Sequence, residues 1–204
     1  MNKKRIAGIW MLLCLCLGAS AQLMREDTTT NEPFFAAKKF NSKFYAGFEA
    51  IPTQILKTKA AMNLGLNLNW VVNHKYVVSA KYMVLTTPLN VQSRVAPDRP
   101  NDSIKLQFHT AGLAFSYILF SDKKFSFQPE LYGGWAMIKY DFAGGYYHRH
   151  FAVLQPAVYG IYNATKNFRV GVGLNYRLAL GSKLISTADM SGVGGVVFIR
   201  VGTF

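Results

Sequence analysis

The stretch FRVGVGLNYRLALG, residues 168–181, decides the fold. Apolar residues alternate along its whole length with small or polar residues. Successive side chains of a β-strand point to opposite faces, so this period of two predicts a strand with one wholly apolar face. The run is about twice as long as an ordinary globular strand and suits a tilted strand that crosses a bilayer. The pattern is typical of a transmembrane strand with its apolar face toward lipid and its polar face toward a lumen.

Residues 1–21 predict a secretory signal peptide. A basic head at residues 3–5 precedes an apolar run, and Ala19-Ser20-Ala21 supplies a cleavage site. The apolar run is too short to cross a membrane comfortably as a helix. Both cysteines, Cys14 and Cys16, lie in this segment, so the mature chain is expected to contain no disulfide and no thiol chemistry.

The rest of the chain predicts a flexible lead-in over residues 22–43 and one barrel domain over residues 44–204. The stretch MNLGLNLNW at residues 62–70 repeats the alternation, with amides and glycine on the polar face. Pro52 is expected to end the first strand or to mark a bulge, and residues 86–102 are expected to form a long loop. The eight strands are predicted at residues 44–51, 62–70, 76–84, 105–120, 125–137, 151–162, 168–181 and 192–204.

The connections between these predicted strands alternate between short and long. An even number of strands with tight turns at one end and longer loops at the other is typical of an outer-membrane barrel. Eight strands enclose a lumen that side chains can fill. The predicted fold is therefore all-β, an eight-stranded antiparallel up-and-down transmembrane β-barrel in the cell outer membrane. The outward faces of the sixth and eighth strands stay open. A soluble lipocalin-like barrel is the alternative, and it requires the inverse pattern, with apolar residues inside.

The chain is strongly basic, with a formal charge of +13 at pH 7. Such a balance can indicate nucleic acid or an anionic surface as a partner. The positive charges are scattered, however, and no helix-turn-helix, zinc-finger or RNA-binding pattern is found. Together with the predicted signal peptide, this favours outer-membrane lipids, lipopolysaccharide and external surface ligands as partners, and not nucleic acid.

Two sets of residues resemble known barrels. Residues 197–204, which end in an aromatic residue, resemble the C-terminal signature of Gram-negative outer-membrane barrels, although Arg200 and Gly202 stand where that signature has apolar residues. Other stretches resemble small barrels of Bacteroidota-type bacteria: WVVNHK at 70–75, LQP at 154–156, NAT at 163–165 and NYR at 175–177. The resemblance implies an eight-stranded barrel of the OmpA and OmpX type, whose members serve in envelope integrity, adhesion and surface interaction. It implies no catalytic residue.

Six charged residues fall on faces that point toward the predicted lumen: Glu49, Lys81, Glu130, Arg169, Arg177 and Arg200. An unpaired charge in a narrow interior of low dielectric constant costs several kcal/mol, so these residues are expected to form a salt-bridged plug. The alternative function is a narrow channel for small hydrophobic or ionic solutes.

A second candidate group falls on a predicted external loop and comprises Asp141, His148, Arg149 and His150. Imidazole and carboxylate groups can bind a metal or act as acid and base. The spacing fits no zinc signature, so no metal and no cofactor are predicted, and these side chains are expected to be solvated or to contact lipopolysaccharide. The main hypothesis is a monomeric structural or surface-interaction protein without catalysis. A lipid-modifying barrel enzyme is the third hypothesis.

Overall fold

The computed structural model describes residues 42–55, 59–87, 89–92, 103–142, 145–181 and 190–204. The predicted signal peptide and all but the end of the predicted lead-in lie outside these residues. Within the described part of the chain, no helix has the length and hydropathy needed to cross a membrane.

The described residues form antiparallel strands that close into a barrel. Their bounds are β1 Ser42–Ile55, β2 Lys59–Val72, β3 Tyr76–Leu85, β4 Leu89–Gln92, β5 Ser103–Tyr117, β6 Phe125–Phe142, β7 Gly145–Asn163, β8 Phe168–Leu180 and β9 Gly192–Gly202. Each long strand pairs with its neighbours along the chain, and pairing of β1 with β9 closes the sheet. Both β3 and the short β4 pair with β5, so they act as one interrupted strand. The eight-stranded antiparallel barrel predicted from the sequence is confirmed.

Two local predictions about strand boundaries are wrong. Residues 89–92 form β4 inside the predicted long loop. Pro52 neither ends β1 nor shifts its register, because β1 continues to Ile55 and resumes pairing with β9 at Thr53 in the same register. Proline has no N–H to donate, and the β1–β9 ladder is indeed interrupted at residues 51 and 52.

The predicted alternation of short and long connections also fails at two places. β6 and β7 are 18 and 19 residues long and are separated by residues 143–144 alone. β1 and β2 are separated by residues 56–58. We call the end of the barrel with the turns at residues 73–75, 118–124 and 164–167 the turn end, and the opposite end the loop end.

Large apolar side chains cover the outer face of the barrel. Leu68 on β2 is 69% exposed and Leu174 on β8 is 66% exposed. On the same strands, Asn67 and Asn175 are buried in the lumen. This is the phase predicted for a membrane barrel and the inverse of a lipocalin-like barrel.

The faces of β7 and β9, which the sequence left open, follow from burial. On β9 Val197, Ile199 and Val201 point outward, while Phe198 and Arg200 are buried in the lumen. On β7 the inward residues are apolar as well as polar, namely Phe151, Val153, Gln155, Ala157, Tyr159 and Ile161. Because the outward face of β7 is also apolar, its sequence shows no clear alternation.

The lumen is layered along the barrel axis. Along β1 the buried residues run from Tyr45 at the turn end through Glu49 to Ile51 and Ile55 near the loop end. Tyr45 belongs to a small apolar cluster at the turn end, on which Phe204 packs. Ile51 and Ile55 belong to a larger apolar cluster nearer the loop end. Along β1, Glu49 therefore lies between residues of the two apolar clusters, at a level that we call the polar layer.

Candidate functional site

Lys81 lies at the centre of the polar layer and joins opposite sides of the lumen. Its Nζ is 3.0 Å from Glu49 Oε1 on β1 and 2.6 Å from Glu130 Oε1 on β6. All three side chains are buried. Charges removed from water in this way are stable only when they are paired and hydrogen-bonded, and Lys81 pairs with both carboxylates at once.

Neutral residues donate one further hydrogen bond to each of the two carboxylates. Asn67 Nδ2 donates to Glu49 Oε1 at 2.8 Å, and the hydroxyl of Tyr159 donates to Glu130 Oε1 at 2.9 Å. Gly47 faces Asn67 across the β1–β2 ladder, and a Cβ at Gly47 would collide with the Asn67 amide. We call Glu49, Asn67, Lys81, Glu130 and Tyr159 the Lys81 cluster.

Arg200 lies beside the Lys81 cluster but is held by an amide and by aromatic rings. Its Nη1 donates to Gln128 Oε1 at 2.6 Å, and Gln128 Nε2 in turn donates to Ser116 Oγ at 2.6 Å. The guanidinium carbon is 4.1 Å from the ring centroid of Phe198. A cation over an aromatic face is stabilised by the ring quadrupole, so Arg200 is accommodated without an ion pair among the described residues.

Arg177 lies apart from the Lys81 cluster, nearer the loop end. Its Nε donates to the carbonyl oxygen of Met190 at 2.8 Å. With Asn63 and Asn175 it lines a cavity of about 10 Å³, which is close to the space needed for one water molecule. Each of these three residues has one buried polar atom without a hydrogen-bond partner in the part of the chain that the structure describes. The structure thus separates Arg177 from the charges with which the sequence grouped it.

Arg169 occupies the turn end. Its guanidinium carbon is 3.9 Å from the ring centroid of Phe204, and no described carboxylate pairs with it. Two carboxylates and four basic side chains are therefore buried in the described lumen, in three separate groups along its axis.

The second candidate group differs from the sequence expectation in its secondary structure. Asp141 lies on β6, and His148, Arg149 and His150 lie on β7, so all four belong to a long hairpin and not to a loop. In the backbone ladder His148 lies opposite Lys139, and Asp141 lies opposite Tyr146. Asp141 is therefore two residues nearer the hairpin tip than the level of His148.

The exposure of this hairpin sets what its side chains can do. His148, Arg149 and His150 are all exposed, and the period of two places Arg149 on the opposite face from the two histidines. Among the described residues, no three His, Cys, Asp or Glu side chains are grouped so that they could hold a metal ion. The arrangement presents separate polar and cationic groups to solvent.

Some members of the Lys81 cluster were not singled out from the sequence. Asn67 lies on the polar face of a clear alternation, which marks it as inward but not as a ligand of Glu49. Tyr159 lies on β7, where both faces are apolar, so the sequence carried no signal for its inward position.

Comparison with known proteins shows likeness at the level of the fold. No protein-family model matches the chain, and no curated protein sequence matches it. Neisserial surface protein A (NspA) is 12% identical with a TM-score of 0.57, over 80% of this chain and 97% of that one. A major outer membrane protein from Thermus thermophilus is 10% identical with a TM-score of 0.55, over 79% and 98%.

A third solved structure has the same architecture. Ail, the attachment invasion locus protein of Yersinia pestis, crystallised with the heparin analogue sucrose octasulfate, is 16% identical with a TM-score of 0.51, over 81% of this chain and 99% of that one. The strand order, the closed pairing and these likenesses together show that the chain has the fold of small eight-stranded outer-membrane β-barrels.

Proposed function

We propose that this protein is a structural or surface-interaction protein of the Gram-negative outer membrane, without catalysis and with a closed lumen. The observation that carries the proposal is the bridge from Glu49 through Lys81 to Glu130, which crosses the lumen of a barrel whose outer face is apolar. A source in Bacteroidota-type bacteria is part of the proposal and rests on the sequence resemblance alone.

The outer face supports residence in a membrane. In water a continuous belt of exposed Leu, Val and Phe side chains would lead to aggregation, whereas acyl chains solvate it. Aromatic pairs lie where the strands meet the turn end: Phe44 stacks on Trp70 with ring centroids 6.1 Å apart, and Phe125 packs on Tyr162 at 5.1 Å. Aromatic rings at such a level are typical of a membrane interface. Outer-membrane lipids and lipopolysaccharide are thus the proposed partners.

The closed ladder supports a monomer. Pairing of β1 with β9 leaves the long strands of the described barrel with neighbours on both sides, so no long free edge is available for another chain. The packed lumen favours a plug over the channel alternative, because Lys81 and its two carboxylates occupy the axis where an open path would have to run.

The loop end supports a role in surface interaction. Arg149 and the flanking histidines are exposed on a hairpin at this end, where cationic groups can meet phosphates or acidic sugars. The heparin analogue in the comparison is a ligand of Ail, and it gives no evidence of a ligand for this chain. For this chain the proposal rests on the exposed hairpin residues.

Gel migration and electrical recording test the proposal. Detergent-extracted protein is expected to migrate differently before and after boiling, because the folded barrel resists the detergent of the gel. In a planar lipid bilayer the same preparation is expected to give a silent trace. Recovery of folded protein from the aqueous periplasm without detergent would contradict membrane residence. Stable single-channel currents would overturn the closed lumen and support the channel alternative.

A further inference from the structure

The turn end of the barrel contains an open cavity of about 640 Å³, which we call the basin. It lies between two turns, the first residues of β1 and the last residues of the chain. Its lining consists of Lys43, Ser121, Asp122, Lys123, Lys124, Asn163, Thr165, Lys166, Asn167, Arg169, Thr203 and Phe204. The volume falls in the usual range of small-molecule sites, roughly 300 to 1,000 Å³.

The lining of the basin is unbalanced in charge. It includes five basic side chains and two acidic groups, Asp122 and the terminal carboxylate of Phe204, which Lys43 contacts. Lys123, Lys124 and Lys166 lie on the turns, whereas Lys43 lies on β1 and Arg169 on β8. Several cations around one concave surface repel each other and attract an anion, and the concave shape focuses their field.

The buried side chain of Arg169 distinguishes the basin from a surface patch that consists of exposed lysines alone. Its side chain is only 8% exposed, yet it lines the basin, and its Nε has no hydrogen-bond partner among the described residues. The ring of Phe204 covers one face of its guanidinium at 3.9 Å. No described carboxylate pairs with Arg169, so an anion in the basin would supply a partner that the described chain does not.

Hydrogen bonds between separate segments hold the rim of the basin. Asn163 on β7 joins the neighbouring turn, since its backbone N–H donates to Lys124 O at 2.9 Å and its Nδ2 donates to Lys123 O at 2.7 Å. Lys43 Nζ donates to a terminal carboxylate oxygen of Phe204. The backbone N–H of Thr203 donates to Phe44 O at 2.9 Å. The basic groups are thus mounted on a connected frame, which lowers the entropic cost of binding.

We propose that the basin binds a phosphate-bearing anion. A guanidinium fork matches the geometry of phosphate oxygens, and several ammonium groups suit an anion with more than one negative charge. The group can come from a soluble phosphate compound or from a lipid headgroup. The proposal rests on the proposed function for its location, because the turn end of an outer-membrane barrel faces the periplasm.

Calorimetric titration tests the site. The probe is tripolyphosphate, added at low salt to the full chain in a maltoside detergent, which carries no phosphate of its own. Lys123→Gln/Lys166→Gln is expected to weaken binding about tenfold or more, because two positive charges that line the basin are lost. Lys75→Gln is the matched control: Lys75 is also an exposed lysine on a turn at this end, but it does not line the basin. The affinity of the Lys75→Gln variant for tripolyphosphate is expected to equal that of the unchanged protein.

Arg169→Gln tests the buried member of the site. It is expected to weaken tripolyphosphate binding by more than either lysine substitution alone. If this variant fails to show heat-modifiable migration, the double lysine variant, which changes only exposed turn residues, decides the question. Absence of binding by the folded protein would overturn the proposal, as would citrate binding as tightly as tripolyphosphate. An equal loss of affinity in Lys75→Gln would also overturn it.

Binding measured in nanodiscs of two lipid compositions distinguishes a lipid headgroup from a soluble compound as the source of the phosphate group. Weaker binding of tripolyphosphate in phosphatidylglycerol nanodiscs than in phosphatidylcholine nanodiscs would assign the basin to an anionic lipid headgroup. Equal binding in both would assign it to a soluble ligand. Loss of heat-modifiable migration in the unchanged protein would contradict the proposed function, whereas a folded barrel that binds no probe contradicts only this inference.

Discussion

Lys81 shows how a single residue can govern the interior of the barrel. Its ammonium group neutralises Glu49 and Glu130 together, and each carboxylate has one further neutral donor. Removal of one partner from a buried ion pair leaves an uncompensated charge, whereas removal of all partners leaves none. Substitutions at the Lys81 cluster can therefore separate the cost of an orphaned charge from the loss of contacts.

Lys81→Met is expected to destabilise the folded barrel by about 3 to 5 kcal/mol, because two buried carboxylates lose their cation. Urea unfolding in lipid vesicles, followed by heat-modifiable migration, measures the change. The triple variant Glu49→Gln/Lys81→Met/Glu130→Gln is the control and is expected to recover most of the lost stability. Unfolding of Lys81→Met at the same urea concentration as the unchanged protein would contradict a buried bridge.

The sequence predicts which side chains point inward better than it predicts which of those side chains contact each other. The period of two predicts that Glu49, Lys81 and Glu130 point inward. It does not predict that they meet, since β3 and β6 are not adjacent in the sheet and their relative height depends on the register of every strand between them. Arg177 illustrates the limit, because it shares the inward phase but contacts Met190 instead of a carboxylate.

At the scale of elements, strand ends carry less sequence signal than strand centres. β8 matches its predicted bounds closely because its alternation is uninterrupted. β6 and β7 extend beyond their predicted ends into a stretch rich in Gly and Tyr, where no alternation marks a strand. β6 and β7 continue past their predicted ends because each strand supplies backbone hydrogen-bond partners to the other.

Gly202 explains one departure from the C-terminal signature. Its φ is +148°, and a Cβ there would lie 2.6 Å from Phe44 O on β1. A larger residue would push β9 away from β1 at the seam that closes the barrel. Arg200, the other departure, faces the lumen. The apolar residues that face outward are its neighbours Ile199 and Val201.

Leu174→Arg tests the outward face of β8. Leu174 lies at the middle of the strand and is expected to face the centre of the bilayer, where an arginine costs roughly 2 to 4 kcal/mol. Folding yield into lipid vesicles is expected to fall sharply. Leu180→Arg is the matched control, because Leu180 shares the face but ends the strand, and an arginine near the interface costs roughly 0 to 1 kcal/mol. Equal folding yields for the two variants would show that the assigned depth is wrong.

At the scale of the whole molecule, the outer and inner faces perform different tasks. In the proposed function, the outer face places the barrel in lipid, and the inner face fills the space that closure creates. Eight strands enclose too little room for a wide aqueous path, and Lys81 pairs with carboxylates on opposite sides of this space. We propose interaction at both ends, through the exposed hairpin at the loop end and through the basin at the turn end.

Quenching of tryptophan fluorescence by brominated acyl chains tests the central claim most directly. The chain has three tryptophans, and Trp10→Phe leaves Trp70 and Trp135, which are 38% and 60% exposed on the outer face. In vesicles of brominated lipid the emission of both is expected to fall strongly relative to ordinary lipid, because bromine quenches only on contact. Emission that brominated lipid leaves unchanged, while a water-soluble quencher lowers it, would contradict an apolar face turned toward the membrane.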